Sequence, residues 1–289
     1  MAHEAVRSGW VGWSGVLEDY PLTSGNQPGD AEPRCLRISV SGGAASGGGA
    51  LASLHAGSVW NSGVRFAQLI ESGFLREELR GKLVLELGAG AALPSLVLLA
   101  SAGHGVEDGG SSSSSSLPRG LVISDFPSEE ILHNIEDNLR RNSQLIPPAF
   151  QPGDGERLRV VGHAWGEPAD ELLAAARELG AREGGFDAVL LADCLWDQCR
   201  HEDLLKTIQA TLQPEGIVWM AHCHHWPGHE KTDEHFFGKA KALGLACEEV
   251  AEVSRAELAE LFGTGSETQP VFVHRLYWAS SRPLPGSSS

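Results

Sequence analysis

The sequence predicts an α/β fold with a mainly parallel sheet covered by helices on both faces. Two observations carry this. Short apolar runs at Leu83–Leu87, Leu121–Asp125 and Phe186–Ala192 alternate with stretches whose apolar residues fall at helical spacing, the mark of βαβ units. The first run ends in Gly88-Ala89-Gly90, which reads as a buried strand entering a tight turn.

The elements follow in order. Residues 1–34 mix Gly, Pro and acids and predict a largely loose arm, in which Trp10, Trp13 and Tyr20 could dock on the body. Leu36–Val40 alternates like a strand, and the Gly/Ala/Ser run from Ser41 to Gly49 reads as a flexible loop. Val64, Phe66, Ala67, Leu69 and Ile70 predict a helix over Val64–Ser72. The strand Leu83–Leu87 leads into a helix over Leu93–Ala102. Residues 105–120 hold six serines flanked by glycine, from which no core can form, and are expected to be a disordered insertion. Beyond it the pattern predicts strands at Leu121–Asp125, Leu158–Gly162, Phe186–Ala192 and Ile217–Ala221. Helices are expected at Glu129–Asn142, Asp170–Leu179, Glu202–Leu212 and Asp233–Leu243. Cys247–Val253 and Val271–Ala279 close the series as a pair with little helix between them beyond Arg255–Phe262. The expected organisation is an arm over 1–50, one large domain over 51–279 and a disordered tail over 280–289.

A chain of 289 residues with 42% hydrophobic content can bury a full core. Its net charge of −16 argues against nucleic-acid binding, which needs a basic surface. Five irregularly spaced cysteines with no CxxC pair fit reduced thiols. The longest apolar stretch, Leu93–Ala100, is far too short to span a bilayer, and Met1–Glu4 begins no apolar signal core. The expectation is a cytoplasmic protein with no membrane or nucleic-acid partner.

Candidate chemistry gathers at the strand ends, where open parallel sheets bind ligands. The glycine turn lacks the third glycine of a dinucleotide fingerprint, since Leu93 stands there. Glu86 precedes the turn. A carboxylate there would repel a pyrophosphate and attract the cationic amino-acid end of S-adenosylmethionine. Asp125 ends the next strand and is placed to accept hydrogen bonds from ribose hydroxyls. Trp165 is a candidate cover for adenine, and Trp60 could line the same pocket from the other side. Asp193 follows Ala192 at a further strand end. It is a candidate to orient an attacking amine and accept its hydrogen bond. His222, His224, His225, His229 and Cys223 suggest a metal site at first sight, but strand alternation splits them, and no metal is expected. Cys194 and Cys199 read as core or pocket thiols.

Ser58–Gly63, Val84–Ser95, Ser124–Pro127, Asn134–Asn138 and Leu191–Trp196 occur in the order seen in seven-β-strand lysine methyltransferases of the family 16 type. From about Leu36 to Trp278 the sequence resembles the fungal branch described as nicotinamide N-methyltransferase-like, or elongation factor 1-alpha N-terminal and lysine methyltransferase. The resemblance implies a Rossmann-like, doubly wound seven-stranded sheet of order 3-2-1-4-5-7-6 with the last strand antiparallel. It implies S-adenosyl-L-methionine as cofactor, held at Trp60, Glu86, Gly88, Ala89, Gly90, Asp125, Trp165 and Ala192. Asp193 and Trp196 are the candidate catalytic residues, with Trp196 standing where many relatives carry Tyr. A protein amine is the expected acceptor, a lysine or N-terminus of elongation factor 1-alpha, methylated by a monomer. A nicotinamide-like small molecule and a non-catalytic scaffold remain as alternatives.

Overall fold

The computed structural model describes residues 18–22, 34–40, 59–102, 117–152, 156–181, 185–224, 230–253 and 270–281. The elements in chain order are β1 (Glu18–Pro21), β2 (Cys35–Ile38), α1 (Asn61–Glu71), α2 (Phe74–Leu79), β3 (Leu83–Leu87), α3 (Leu93–Ala102), β4 (Gly120–Asp125) and α4 (Glu129–Arg141). They continue with β5 (Leu158–Gly162), α5 (Asp170–Glu178), β6 (Phe186–Ala192), α6 (His201–Thr211), β7 (Leu212–His222), α7 (Glu230–Ala242), β8 (Leu245–Val253) and β9 (Val271–Trp278).

The main sheet runs β5-β4-β3-β6-β7-β9-β8. Counting its strands in chain order, this is 3-2-1-4-5-7-6. β9 lies antiparallel to both β7 and β8, and the other neighbours are parallel. β3 is buried at every position because helices cover both of its faces. On one face Val84, Leu121, Ile123 and Leu190 pack with Val64 and Ile70 of α1, Val97 of α3 and Ile135 of α4. On the other, Leu85, Val122 and Val189 pack with Leu172 of α5, Ile208 of α6 and Phe236 of α7.

Register brings the strand ends to one rim. Leu87 pairs with Ser124 and Leu191, Asp125 with Gly162, and Ala192 with Ala221. Strand order reverses between β3 and β6, so the glycine turn and Asp193 flank the crevice where such sheets bind ligands.

The structure departs from the sequence expectation in four places. The arm carries a strand that was not expected: β1 pairs antiparallel with β2, while Tyr20 docks as anticipated, its hydroxyl donating to Glu71 of α1 at 3.1 Å. The short helix α2 was missed, although Leu75 and Leu79 bury one face of it. β7 starts at Leu212 rather than Ile217, through a register shift carrying Pro214 and Gly216 that breaks the alternation. The end of the serine insertion is ordered: the Leu117 carbonyl accepts from Gly81 N–H at 2.9 Å, and Gly120 begins β4. Residues 105–116, the loop over 41–50, Arg255–Phe262 and the end of the tail lie outside the described residues. No described helix is long and apolar enough to cross a membrane.

Candidate active site

The glycine turn has an unusual backbone. Gly88, Gly90 and Ala92 take φ of 67°, 55° and 59°. Left-handed residues in series cost conformational energy and persist only where neighbours hold them. Ala89 N–H donates to Ser124 O at 3.1 Å, and Gly90 N–H donates to Asp125 Oδ2 at 2.6 Å. A side chain at Gly88 would have its Cβ 3.0 Å from both Cys194 Sγ and Trp165 Cζ2. At Gly90 the same atom would meet nothing within 4 Å, so the backbone there faces open space.

That space is a cavity of about 390 Å³ at the switch point. Nine of the ten residues singled out in the sequence line it: Trp60, Gly88, Ala89, Gly90, Asp125, Trp165, Ala192, Asp193 and Trp196. Sequence reasoning missed Phe126, His163, Asp197 and Arg200, which line it too. Phe126 was findable, as a large aromatic directly after the strand-end acid; it is 44% exposed.

Asp125 binds Gly90 N–H through one oxygen and Phe126 N–H through the other, each at 2.6 Å. A carboxylate offers about four lone-pair directions, so capacity remains on the cavity side. Burial pushes its carboxyl up, against the two backbone donors. The Trp165 turn is held beside it. His163 N–H donates to Asp125 O at 2.8 Å, and Thr207 Oγ1 meets His163 Nε2 at 3.0 Å while accepting Gly166 N–H at 2.9 Å. Burial lowers the His163 pKa, so the ring stays neutral at physiological pH.

Asp193 is 4% exposed and adopts φ 61°, a left-handed conformation for a non-glycine residue. Its N–H donates to Ala221 O at 2.8 Å, and Cys223 Sγ lies 3.7 Å from both carboxylate oxygens. Cys194 sits among three acids. Burial, then the charges of Asp125, Asp193 and Glu86, push its thiol well above the usual range. A thiol held protonated is a poor nucleophile, in keeping with its reading as a pocket residue.

Glu86 is the exception among the ten. It lies below the turn, 1% exposed and outside the cavity lining. Its Oε2 accepts Ser95 N–H at 3.2 Å and also bonds Ser95 Oγ, so it ties β3 to the first turn of α3. The direct contact with a cationic ligand expected from sequence gives way to an anchoring position. Burial pushes its carboxyl up to about 7, opposed by the Ser95 donors and helped by Asp125. Its Oε1 has no hydrogen-bond partner among the described residues.

This has a measurable consequence. Between the ordinary carboxylate value of 4.5 and about 7, Glu86 is protonated in the fold and ionised in the unfolded chain. Native protein then binds more protons, so stability falls as pH rises through that window, by about 3 kcal/mol in all. Melting temperature measured from about pH 5 to pH 7 should fall less for Glu86→Gln than for wild type. Parallel curves would contradict a protonated Glu86.

His222 and His224 share an aromatic cluster with Phe272 and His274, and His224 Nδ1 meets Asp233 Oδ2 at 2.8 Å. The described residues contain no group of three or more His, Cys, Asp or Glu arranged to hold a metal. His225 and His229 lie outside the described residues.

Comparison with known proteins bears on this geometry. A lysine methyltransferase family model matches residues 51–243. The chain is 29% identical over 211 residues to the protein N-terminal and lysine N-methyltransferase efm7 of Schizosaccharomyces pombe, covering 72% of this chain and 71% of that one. It is 30% identical over 202 residues to the protein of the same description from Eremothecium gossypii, covering 69% and 67%. The Emericella nidulans counterpart is 28% identical over 229 residues, covering 78% and 80%.

Proposed function

The chain belongs to the lysine methyltransferase family and is an S-adenosylmethionine-dependent N-methyltransferase, and we propose that the cavity above the glycine turn is its active site. The acceptor in this reading is a protein amine, a lysine or free N-terminus of elongation factor 1-alpha, modified in the cytoplasm by a monomeric enzyme. One observation carries the assignment. The turn, the strand-end acid Asp125 and the strained acid Asp193 converge on a single cavity from three parallel strands.

The residues fit the cofactor. Gly90 leaves open space where a ligand can lie against the backbone. Asp125 keeps acceptor capacity for ribose hydroxyls, and Trp165 stands beside Gly88 as an aromatic wall for adenine. Asp125 and Asp193, which line the cavity, give it a negative potential suited to a cation. When bound, S-adenosylmethionine supplies an electrophilic methyl group on a cationic sulfur.

The chain's own residues do the rest. Asp193 accepts a hydrogen bond from the incoming amine and aims its lone pair. Trp60 and Trp196 wall the cavity with aromatic surface, against which the methylenes of a lysine can pack. Glu86 and Asp125 hold the turn from below and from the side. Methyl transfer to an amine needs alignment and a neutral nucleophile, and this arrangement offers the first.

The acceptor class is tested by incubating the enzyme with lysate and S-adenosylmethionine labelled in the methyl group, then separating by size. Label in the macromolecular fraction, on the mass of elongation factor 1-alpha, is the expected result. Label confined to small molecules would replace the protein acceptor by a nicotinamide-like one. No label in either fraction would leave a binding scaffold.

A further inference from the structure

Helix α4 and its C-cap carry asparagines one turn apart, Asn134, Asn138 and the capping Asn142, and all three grip the N-terminal arm at Arg37–Ser39. Asn142 Oδ1 accepts Arg37 N–H at 2.7 Å, and its Nδ2 donates to Arg37 O at 2.9 Å. Asn138 treats Ser39 the same way, with both bonds at 2.8 Å. Asn134 Nδ2 donates to Ser39 O at 3.1 Å, and its Oδ1 accepts from Ser39 Oγ at 2.8 Å. A side-chain amide carries the same donor and acceptor pair as a peptide group. The helix and its cap therefore do for Arg37–Ser39, the end of β2 and the residue after it, what a neighbouring strand would do.

The Asn138 Oδ1 also accepts from Ser39 Oγ at 3.0 Å and from Arg141 Nη1 at 3.1 Å, and one further bond leaves the arm. The Asn138 Nδ2 also donates to Ala91 O at 3.1 Å. Ala91 belongs to the glycine turn and lines the cavity. The Asn138 side chain is fully buried, and Ser39 holds its amide on both sides, so its remaining hydrogen is aimed at the turn. Asp125 and Ser124 pin the turn to β4 through Gly90 and Ala89. Asn138 pins it from the opposite side, to α4 and the arm. Three left-handed residues within five positions need such bracing.

We infer that Asn138 is a positioning residue for the cofactor, setting the Gly88–Ala92 backbone against the cavity through Ala91. The inference rests on the reading of that turn as the cofactor's seat. It differs from a role in stability alone, because Asn142 grips the same arm in the same way without reaching the turn.

The test uses the full chain with Asn138→Ala, Asn142→Ala and Gly90→Val. Melting temperature, calorimetric affinity for S-adenosylhomocysteine and steady-state kinetics are measured for each. Both asparagine variants should lower the melting temperature, since each strips one residue of the arm of its two backbone hydrogen bonds. Only Asn138→Ala should weaken S-adenosylhomocysteine, by about tenfold, the factor that corresponds to ~1.4 kcal/mol. Its KM for S-adenosylmethionine should rise while kcat at saturating cofactor holds. If Asn138→Ala does not fold, Asn138→Asp replaces it, keeping an oxygen for Ser39 N–H and removing the amide donor to both Ser39 O and Ala91 O. Equal affinities in the two asparagine variants, with Gly90→Val losing binding, would overturn the inference and leave the site assignment intact. Undiminished binding by Gly90→Val would overturn the site assignment itself.

Discussion

Asp193→Asn is expected to lower the rate of methyl transfer by about a hundredfold while leaving S-adenosylhomocysteine affinity within about threefold. The rate figure is the low end of what a positioned acid or base contributes. Asparagine is the informative replacement for a physical reason. Asp193 holds φ 61° and is 4% exposed. Asparagine tolerates the left-handed region at least as well as aspartate and has almost the same volume. The backbone bond to Ala221 and the packing against Cys223 are therefore kept. What changes is the second carboxylate oxygen and the charge. Alanine would add strain and a cavity to the same measurement. Single-turnover methylation at saturating cofactor reads the chemical step, and calorimetry reads binding. Equal losses in both would move Asp193 from the acceptor side to the cofactor side.

Much of this candidate site was legible because its carriers are local. Leu83–Leu87 ends in glycines, Asp125 and Asp193 end strands, and apolar runs mark those strands without reference to the rest of the chain. The sheet order followed from the family resemblance rather than from spacing. What stayed hidden depends on distant contacts. Glu86 looked like a ligand-facing acid because it precedes the turn. In a strand buried on both faces, however, its side chain points toward α3, and Ser95 takes it. β1 has four residues including Pro21, too few to alternate, and it exists because β2 and Glu71 receive it. The asparagines of α4 read as an ordinary polar helix face. Only the fold shows that they act as a neighbouring strand for a segment 95 or more residues away in sequence. His163 and Thr207 are likewise joined across 44 residues.

The two glycines of the turn should fail in different ways when substituted, and the contrast tests the cavity directly. Both have left-handed φ, so a side chain at either costs roughly 1–2 kcal/mol of backbone strain. At Gly88 the new Cβ also presses on Cys194 and Trp165 at 3.0 Å, the two side chains that close the turn. Gly88→Ala should therefore lose more melting temperature than Gly90→Ala. At Gly90 the new atom enters open space, and that space is the cavity. Gly90→Val should lose more stability than Gly90→Ala, because a β-branched residue fits the left-handed region poorly, and should bind S-adenosylhomocysteine about a hundredfold or more weakly, corresponding to ~3 kcal/mol. The reason is exclusion. A β-branched side chain occupies the volume where a ligand would lie against the backbone, and it strains the turn whose Gly90 N–H meets Asp125. If the order were reversed, with Gly90→Val unfolding and Gly88→Ala binding poorly but folding well, the ligand would have to sit on the Cys194 side of the turn. The open face at Gly90 would then have another use.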